Sequence, residues 1–448
     1  MPSTSGCEIA AYAPGFAPAR RRPGLAGPAR LAASAGALVA GPGVLAMLGE
    51  NDGPSMLSYA SSGASYGVGF FLPFILVTFA AAYVVQEMAM RVGAVSGRGY
   101  GELVFQRFGR FWGWVSVTDL MVTNIVTLIT EVIAMRVGMG YFGIPAWVAV
   151  ALAVALVAAG SFGGRYRRWE RFAASLAVFN LLFVAVAVFA RPSVGQMTHA
   201  IATWGPLPRT GLAAFLLMVV SNIGATVTPW MLFFQQSATV DKRMASRDIG
   251  AGRINTALGA GLAAIAGCAA LVAAAPLFAH HVDMSRYEAG AGFAEALRPF
   301  IGPAGSGLFA LALIEAGAVA VLTISASSAY AAGEPFRRAV CTFDARPTQA
   351  PLFHGVNIGV ALLAGLVVLI PGAPLLSISL NANMLATILL PAALVFLMLL
   401  ANDREVMGPR VNGRLANAMG LTVGVLVTLA GSAYAIVSFL TSLGVHVG

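Results

Sequence analysis

Charge is what this sequence has least of. Of its 448 residues, 10% are Asp, Glu, Lys or Arg, where a soluble chain carries about 25%, so it cannot cover a water-facing surface of ordinary size. Cysteine is scarce too: Cys7, Cys268 and Cys341 show neither metal-site nor disulfide spacing and read as small hydrophobes. The five histidines, His199, His280, His281, His354 and His446, fall in loops or at the ends of apolar runs. None stands where a proton relay inside a membrane needs it. There is no H-E-x-x-H, and the one hydrolase-like pattern, GASYG at 63–67, follows an apolar helix instead of a strand. No histidine and acid pair completes a triad after it. These shortages argue against an enzyme.

What the chain has in quantity is long apolar runs, each about 20 residues and so long enough to cross a bilayer as a helix. Eleven spans are predicted, at 35–62, 69–92, 113–138, 144–163, 171–190, 210–236, 254–280, 303–332, 352–371, 374–401 and 416–442. The net charge of +9 is topological and needs no nucleic-acid partner. Arg20, Arg21, Arg22 and Arg30, then the clusters Arg91 to Arg110, Arg165 to Arg171, Lys242 to Arg253, Arg337 to Arg346 and Arg404 to Arg414, share one side. That side holds 22 of the 27 basic residues, leaving Arg136, Arg191, Arg209, Arg286 and Arg298 opposite. The positive-inside rule then predicts a multi-pass protein of the cell (inner) membrane with a cytoplasmic N-terminus and an extracytoplasmic C-terminus. Residues 1–33, rich in Ala, Pro, Gly and Arg, read as a disordered cytoplasmic tail. Residues 34–448 read as one transmembrane domain.

Two spans are interrupted. The first contains "GENDGP", Gly49 to Pro54, and the sixth contains "GATVTP", Gly224 to Pro229. Pro removes a donor and clashes with the preceding turn, and Gly weakens a helix, so both spans are expected to unwind at mid-membrane. Bare backbone there has to line a cavity or bind something. The broken spans are five apart, which makes spans 1–5 and 6–10 two repeats of opposite topology, with the eleventh outside them. At the first break, carbonyls near Met47, Leu48 and Gly49 lose their donors, Asp52 adds a charge, and Asp52 or Ser55 can cap the half-helix that Pro54 begins. At the second, carbonyls near Ala225 and Thr226 and the Thr228 hydroxyl converge. All these groups are oxygens, which favours a hard cation.

The stretches "GPGVLAMLGENDGPSML", "VVQEMAMRVGAVSGRG" and "GATVTPWMLFFQQSATV" resemble the NRAMP family of divalent metal transporters, over about residues 36 to 440. The resemblance implies a LeuT-type fold. It also implies a metal site in which the family's D-P-G-N motif falls on Asp52, Gly53, Pro54 and Ser55, and its A-x-x-M-P-H motif on Ala225 through Trp230. The backbone-carbonyl ligand before the Asp falls on Gly49, and the polar residue of helix 10 on Asn383. Ser55 replaces the family Asn, and Thr228 replaces a thioether. Loss of that soft ligand weakens selection for Mn²⁺, Fe²⁺ or Cd²⁺ over Mg²⁺, as in the Mg²⁺-selective relatives of the family, and Glu50 adds an acid. For proton movement the resemblance leaves Glu131 on helix 3. Leu128, Trp230 and Gln235 stand where the family has groups that exchange protons.

Two further intramembrane acids are notable. Glu87 precedes Arg91 by four residues, the spacing of a helical ion pair. Glu315 lies mid-span with no local basic partner, which marks it as either functional or buried in its protonated form. The sequence therefore points to an alternating-access carrier of a hard divalent cation, Mg²⁺ and/or Mn²⁺. It needs no cofactor and no obligatory protein partner. Proton coupling is expected to be weak or absent. The alternatives are a proton-coupled Mn²⁺/Fe²⁺ importer and a carrier of a small organic solute on the same fold.

Overall fold

The structure is a computed structural model that describes residues 41–205, 211–284, 292–336, 340–370 and 375–442. The N-terminal tail with Cys7 and its four arginines lies outside the described residues, as do Arg209, Arg286, Arg337, Arg338 and His446. The first five spans are built from α1 (Pro42–Glu50), α2 (Gly53–Tyr66), α3 (Phe71–Ser96), α4 (Tyr100–Tyr141), α5 (Ala146–Phe162), α6 (Tyr166–Ala177) and α7 (Leu182–Phe189). A short α8 (Val194–Thr203) leads to α9 (Leu212–Gly224) and α10 (Pro229–Asp241). Then come α11 (Ile249–Ala279), α12 (Gly292–Gly333), α13 (Pro351–Val368), α14 (Leu375–Asn402), a single turn α15 (Arg404–Met407) and α16 (Arg414–Ser442).

Nine helical stretches among the described residues are long and apolar enough to cross a bilayer. Adding α5 and the broken pair α1–α2 recovers all eleven expected spans. The third and eighth helices begin earlier than hydropathy places them, at Tyr100 and Gly292. The cause is the same in both: a shorter helix runs into the span through one glycine. Gly109 has φ 86° and ψ 174°, and Gly302 has φ 73° and ψ 173°, a region open in practice to glycine alone. Each kink opens the third span of its five-span unit, so the two units repeat each other in their bends as well as in their breaks.

Small residues set the packing of the bundle. α12 lies along α4 so closely that a Cβ on Gly317 would sit 2.7 Å from the Glu131 carbonyl oxygen, and one on Gly138 would sit 2.5 Å from that of Ala310. α2 lies along α11 in the same way, with Gly63 against the Leu271 carbonyl. Such close backbone approach is how membrane helices gain contact without a hydrophobic driving force between them. Large apolar side chains on the outside, among them Phe111, Trp147, Leu415 and Phe439, stay exposed, as a lipid-facing surface requires. The GASYG stretch forms the last turn of α2 and its cap, with no strand before it. Arg91 pairs with Glu87 at 3.0 Å as its spacing predicts, and Arg253 joins the same carboxylate at 2.9 Å. Cys268 is a free thiol.

Candidate ion site

α1 stops at Glu50 because Asn51 leaves helical geometry and Asp52 is extended, with φ −77° and ψ 175°. Asp52 then caps α2: its Oδ1 accepts from the Ser55 backbone N–H at 2.8 Å. The Gly53 N–H, a second orphan of that first turn, donates to Glu131 Oε2 on α4 at 3.0 Å. In the sixth span the helix ends at Gly224, Thr228 is extended with φ −122° and ψ 159°, and Pro229 opens α10. Both breaks therefore fall where the Gly, Pro and acid residues predict them.

The two breaks touch. Thr228 Oγ1 donates to Glu50 Oε2 at 2.7 Å, and the Tyr59 hydroxyl donates to the Ala225 carbonyl at 2.6 Å. The Trp230 indole N–H faces the Glu50 carboxylate without reaching it. Gly49 lies under that ring, where a Cβ would come within 2.9 Å of Thr323 Oγ1 and 3.3 Å of the indole. The carboxyl groups of Asp52 and Glu131 face each other across the first turn of α2.

Every one of these side chains is buried, yet several of their atoms have no partner. Glu50 Oε1, Asn51 Oδ1, Asp52 Oδ2, Ser55 Oγ and Glu131 Oε1 make no hydrogen bond among the described residues. Asn51 turns its amide nitrogen to the Ala263 carbonyl at 2.8 Å, so only its oxygen is left over. Native proteins leave few buried polar atoms unpaired, and a gathering of unpartnered oxygens suits a cation. Among the described residues no three His, Cys, Asp or Glu side chains group around one point. A cation here therefore meets a mixed set of carboxylate, hydroxyl and carbonyl oxygens.

Some of the expected ligands also bond to protein groups. Asn383 donates its amide to Ser58 Oγ at 2.9 Å, one turn along α2 from Ser55, and its backbone carbonyl lies against Gly224 at the start of the second break. The Leu48 carbonyl is taken up by Asn180 Nδ2 at 3.4 Å. The Ala225 carbonyl keeps one lone pair beside its bond to Tyr59. Gln235 lies farther along α10 with neither amide atom bonded, and Leu128 is an ordinary buried apolar residue. Glu131, which sequence alone leaves isolated on its helix, belongs to the break through Gly53 and Asp52. Glu315 is buried and faces Asn180. Sequence reading missed Asn51, Tyr59 and Asn180, although Asn180 stands out as the lone polar residue in an apolar run.

Polar side chains lead away from the break on both sides. Along α2, Ser55, Ser58 and Ser62 follow one face, with Ser58 meeting Asn383 and Ser62 meeting Asn222 of α9 at 2.6 Å. Toward the arginine-rich face, the far end of α10 is bolted down. Asp241 accepts from the Tyr330 hydroxyl at 2.6 Å, from Thr342 Oγ1 at 2.5 Å and from the Phe343 N–H at 3.2 Å. Glu334 accepts from Ser237 at 2.5 Å and from the Gly101 N–H of α4 at 2.8 Å.

Residues 43–437 match a family model described as natural resistance-associated macrophage protein-like. The divalent metal cation transporter MntH of Deinococcus radiodurans is 26% identical over 403 residues, which span 86% of this chain and 87% of that protein. A mutant of the Eremococcus coleocola manganese transporter is similar in structure, with a TM-score of 0.71 at 20% identity over 90% of this chain and 88% of that one. MhsT in complex with L-phenylalanine gives a TM-score of 0.54 at 14% identity, over 88% and 97% of the two chains. The fold is thus of the LeuT type, with its inverted repeat and its two broken helices.

Proposed function

The chain belongs to the natural resistance-associated macrophage protein-like family, and from that membership we propose that it carries a divalent cation through the membrane by alternating access. One observation carries the reading: unpartnered oxygens of Glu50, Asp52 and Ser55 gather at the break of the first span, beside the Thr228 hydroxyl of the sixth. With Gly49 and Ala225 supplying carbonyls, this donor set is all oxygen and suits Mg²⁺ or Mn²⁺. Thr228 in place of a thioether favours the harder ion. Asn383 serves the approach along the serine face of α2.

The cation runs inward. The distribution of arginines supports a cytoplasmic N-terminus, and a negative-inside potential then contributes roughly 2.3 kcal/mol per charge per 100 mV, doubled for a divalent ion. That suffices for accumulation without a proton gradient. Trp230, Gln235 and Leu128 exchange no protons near neutral pH, so Glu131 is left to share a proton with Asp52 locally. Enclosed as it is, the site opens to one face when the serine-lined side parts and to the other when the bolts on α10 release.

Uptake into proteoliposomes of Mg²⁺, Mn²⁺, Ca²⁺ and Cd²⁺, measured side by side with Asp52→Ala, tests this. Uptake of Mg²⁺ and Mn²⁺ that disappears in a folded Asp52→Ala protein is the expected result. Wild-type binding in that variant would remove Asp52 from the site, and absence of metal uptake in the wild type would refute the proposal.

A further inference from the structure

The fifth span is not one continuous α-helix. Between α6 and α7, Val178–Leu181 winds as a 3₁₀ turn at mid-span, and neither Pro nor Gly is there to cause it. A 3₁₀ stretch inside a long helix marks a hinge or a strained sequence. Asn180 sits in this turn, fully buried. Its Nδ2 lies 3.3 Å from the Asn51 carbonyl and 3.4 Å from the Leu48 carbonyl, two acceptors orphaned where α1 ends. The same amide faces Glu315 on α12, and neither carboxyl oxygen of that buried residue makes a hydrogen bond among the described residues. One turn on, Phe183 meets Phe309 of α12 edge to face at 5.6 Å, which fixes the turn against that helix.

We infer that Asn180 positions the break of the first span, with Glu315 holding Asn180 from α12, so that movement of the fifth span at its 3₁₀ turn reaches the ion site. The inference rests on the reading of that break as the cation site. Asn180 takes up the carbonyls on either side of Gly49 and Glu50, which leaves the Gly49 carbonyl and the Glu50 carboxylate as the groups that α1 presents. Without the amide, two buried acceptors lose their donors and the segment that carries the ligands loses its tether. Glu315 acts in this arrangement as an acceptor. Its charge is not required.

The test uses full-length purified protein, Mn²⁺ as the probe, and calorimetric affinity measured beside thermal unfolding without metal. Asn180→Leu is expected to weaken Mn²⁺ binding about three- to tenfold, the worth of one or two long hydrogen bonds. Glu315→Leu should weaken it similarly, and the double variant no further. Glu315→Gln, which keeps an acceptor for the amide, should restore wild-type affinity, a rescue that a loss of fold stability alone does not produce. Because Glu315 does not touch the break, the Glu315 pair decides the matter even where Asn180→Leu fails to fold. Wild-type affinity in Asn180→Leu, additive losses in the double variant, or Glu315→Gln as weak as Glu315→Leu would each overturn the inference. With Asp52→Ala as control, a wild type that binds no Mn²⁺ brings down the cation-site reading as well. Wild-type binding left unchanged by Asn180→Leu brings down this inference only.

Discussion

The Thr228 hydroxyl donates a hydrogen bond to Glu50 Oε2 at 2.7 Å, so the two broken spans meet side chain to side chain at the centre of the bundle. One group is neutral and belongs to the second repeat; the other is acidic and belongs to the first. A change at either is a change at the site.

Thr228→Met should raise the affinity for Cd²⁺ and Mn²⁺ relative to Mg²⁺, because a thioether gains more from a soft ion. It should also lower stability by about 1–3 kcal/mol, since Glu50 Oε2 loses its donor while staying buried. Competition binding reads the first effect and denaturation the second. An unchanged Cd²⁺-to-Mg²⁺ ratio, with binding intact, would place Thr228 away from the ion.

Transport should respond weakly to a proton gradient. An internal pH dye followed during metal uptake, with the membrane potential clamped, is the direct measurement. Acidification that tracks metal entry and vanishes in Glu131→Gln would show that the Glu131–Asp52 pair sustains coupling, contrary to this expectation.

Asp241→Asn should loosen the far end of α10. Asp241 meets three donors, and an amide offers them one oxygen and turns its own N–H groups toward the others. Hydrogen exchange along 229–241 should speed up by an order of magnitude or more if the charge-assisted bonds are worth about 1.5–3 kcal/mol each. Unaltered protection of α10 would mean that this cluster does not hold it closed.

Gly302→Ala should cost about 1–3 kcal/mol through backbone strain alone. Among the described residues, nothing beyond the local backbone lies within 4 Å of the added methyl, so crowding does not account for a loss. A melting temperature equal to that of the wild type would show that the kink relaxes freely.

Much of the site was legible because its causes are local. Pro54, Pro229 and the glycines before them break helices wherever they stand, and Asp52 caps the turn that follows it within three residues of sequence. What was not legible lies across the fold. Nothing near Gly53 announces that Glu131, 78 residues on, accepts its N–H, or that Asn180 reaches back to Leu48 and Asn51. Asn383 could be assigned to its helix, but not to the turn of α2 that it meets. The starts of the third and eighth spans were misplaced because a glycine bend between two helices leaves little trace in hydropathy.

Those two bends have a consequence for how the protein cycles. Gly109 and Gly302 turn the chain through nearly the same dihedral angles in halves that run in opposite directions, so the inverted repeat extends to these two bends. The shape that one half takes when the carrier faces outward is then a template for the other half when it faces inward. Stiffening one bend tilts the balance between the two orientations. Stiffening both together leaves that balance near its starting point and slows only the exchange. Each glycine is in this sense the control experiment for the other.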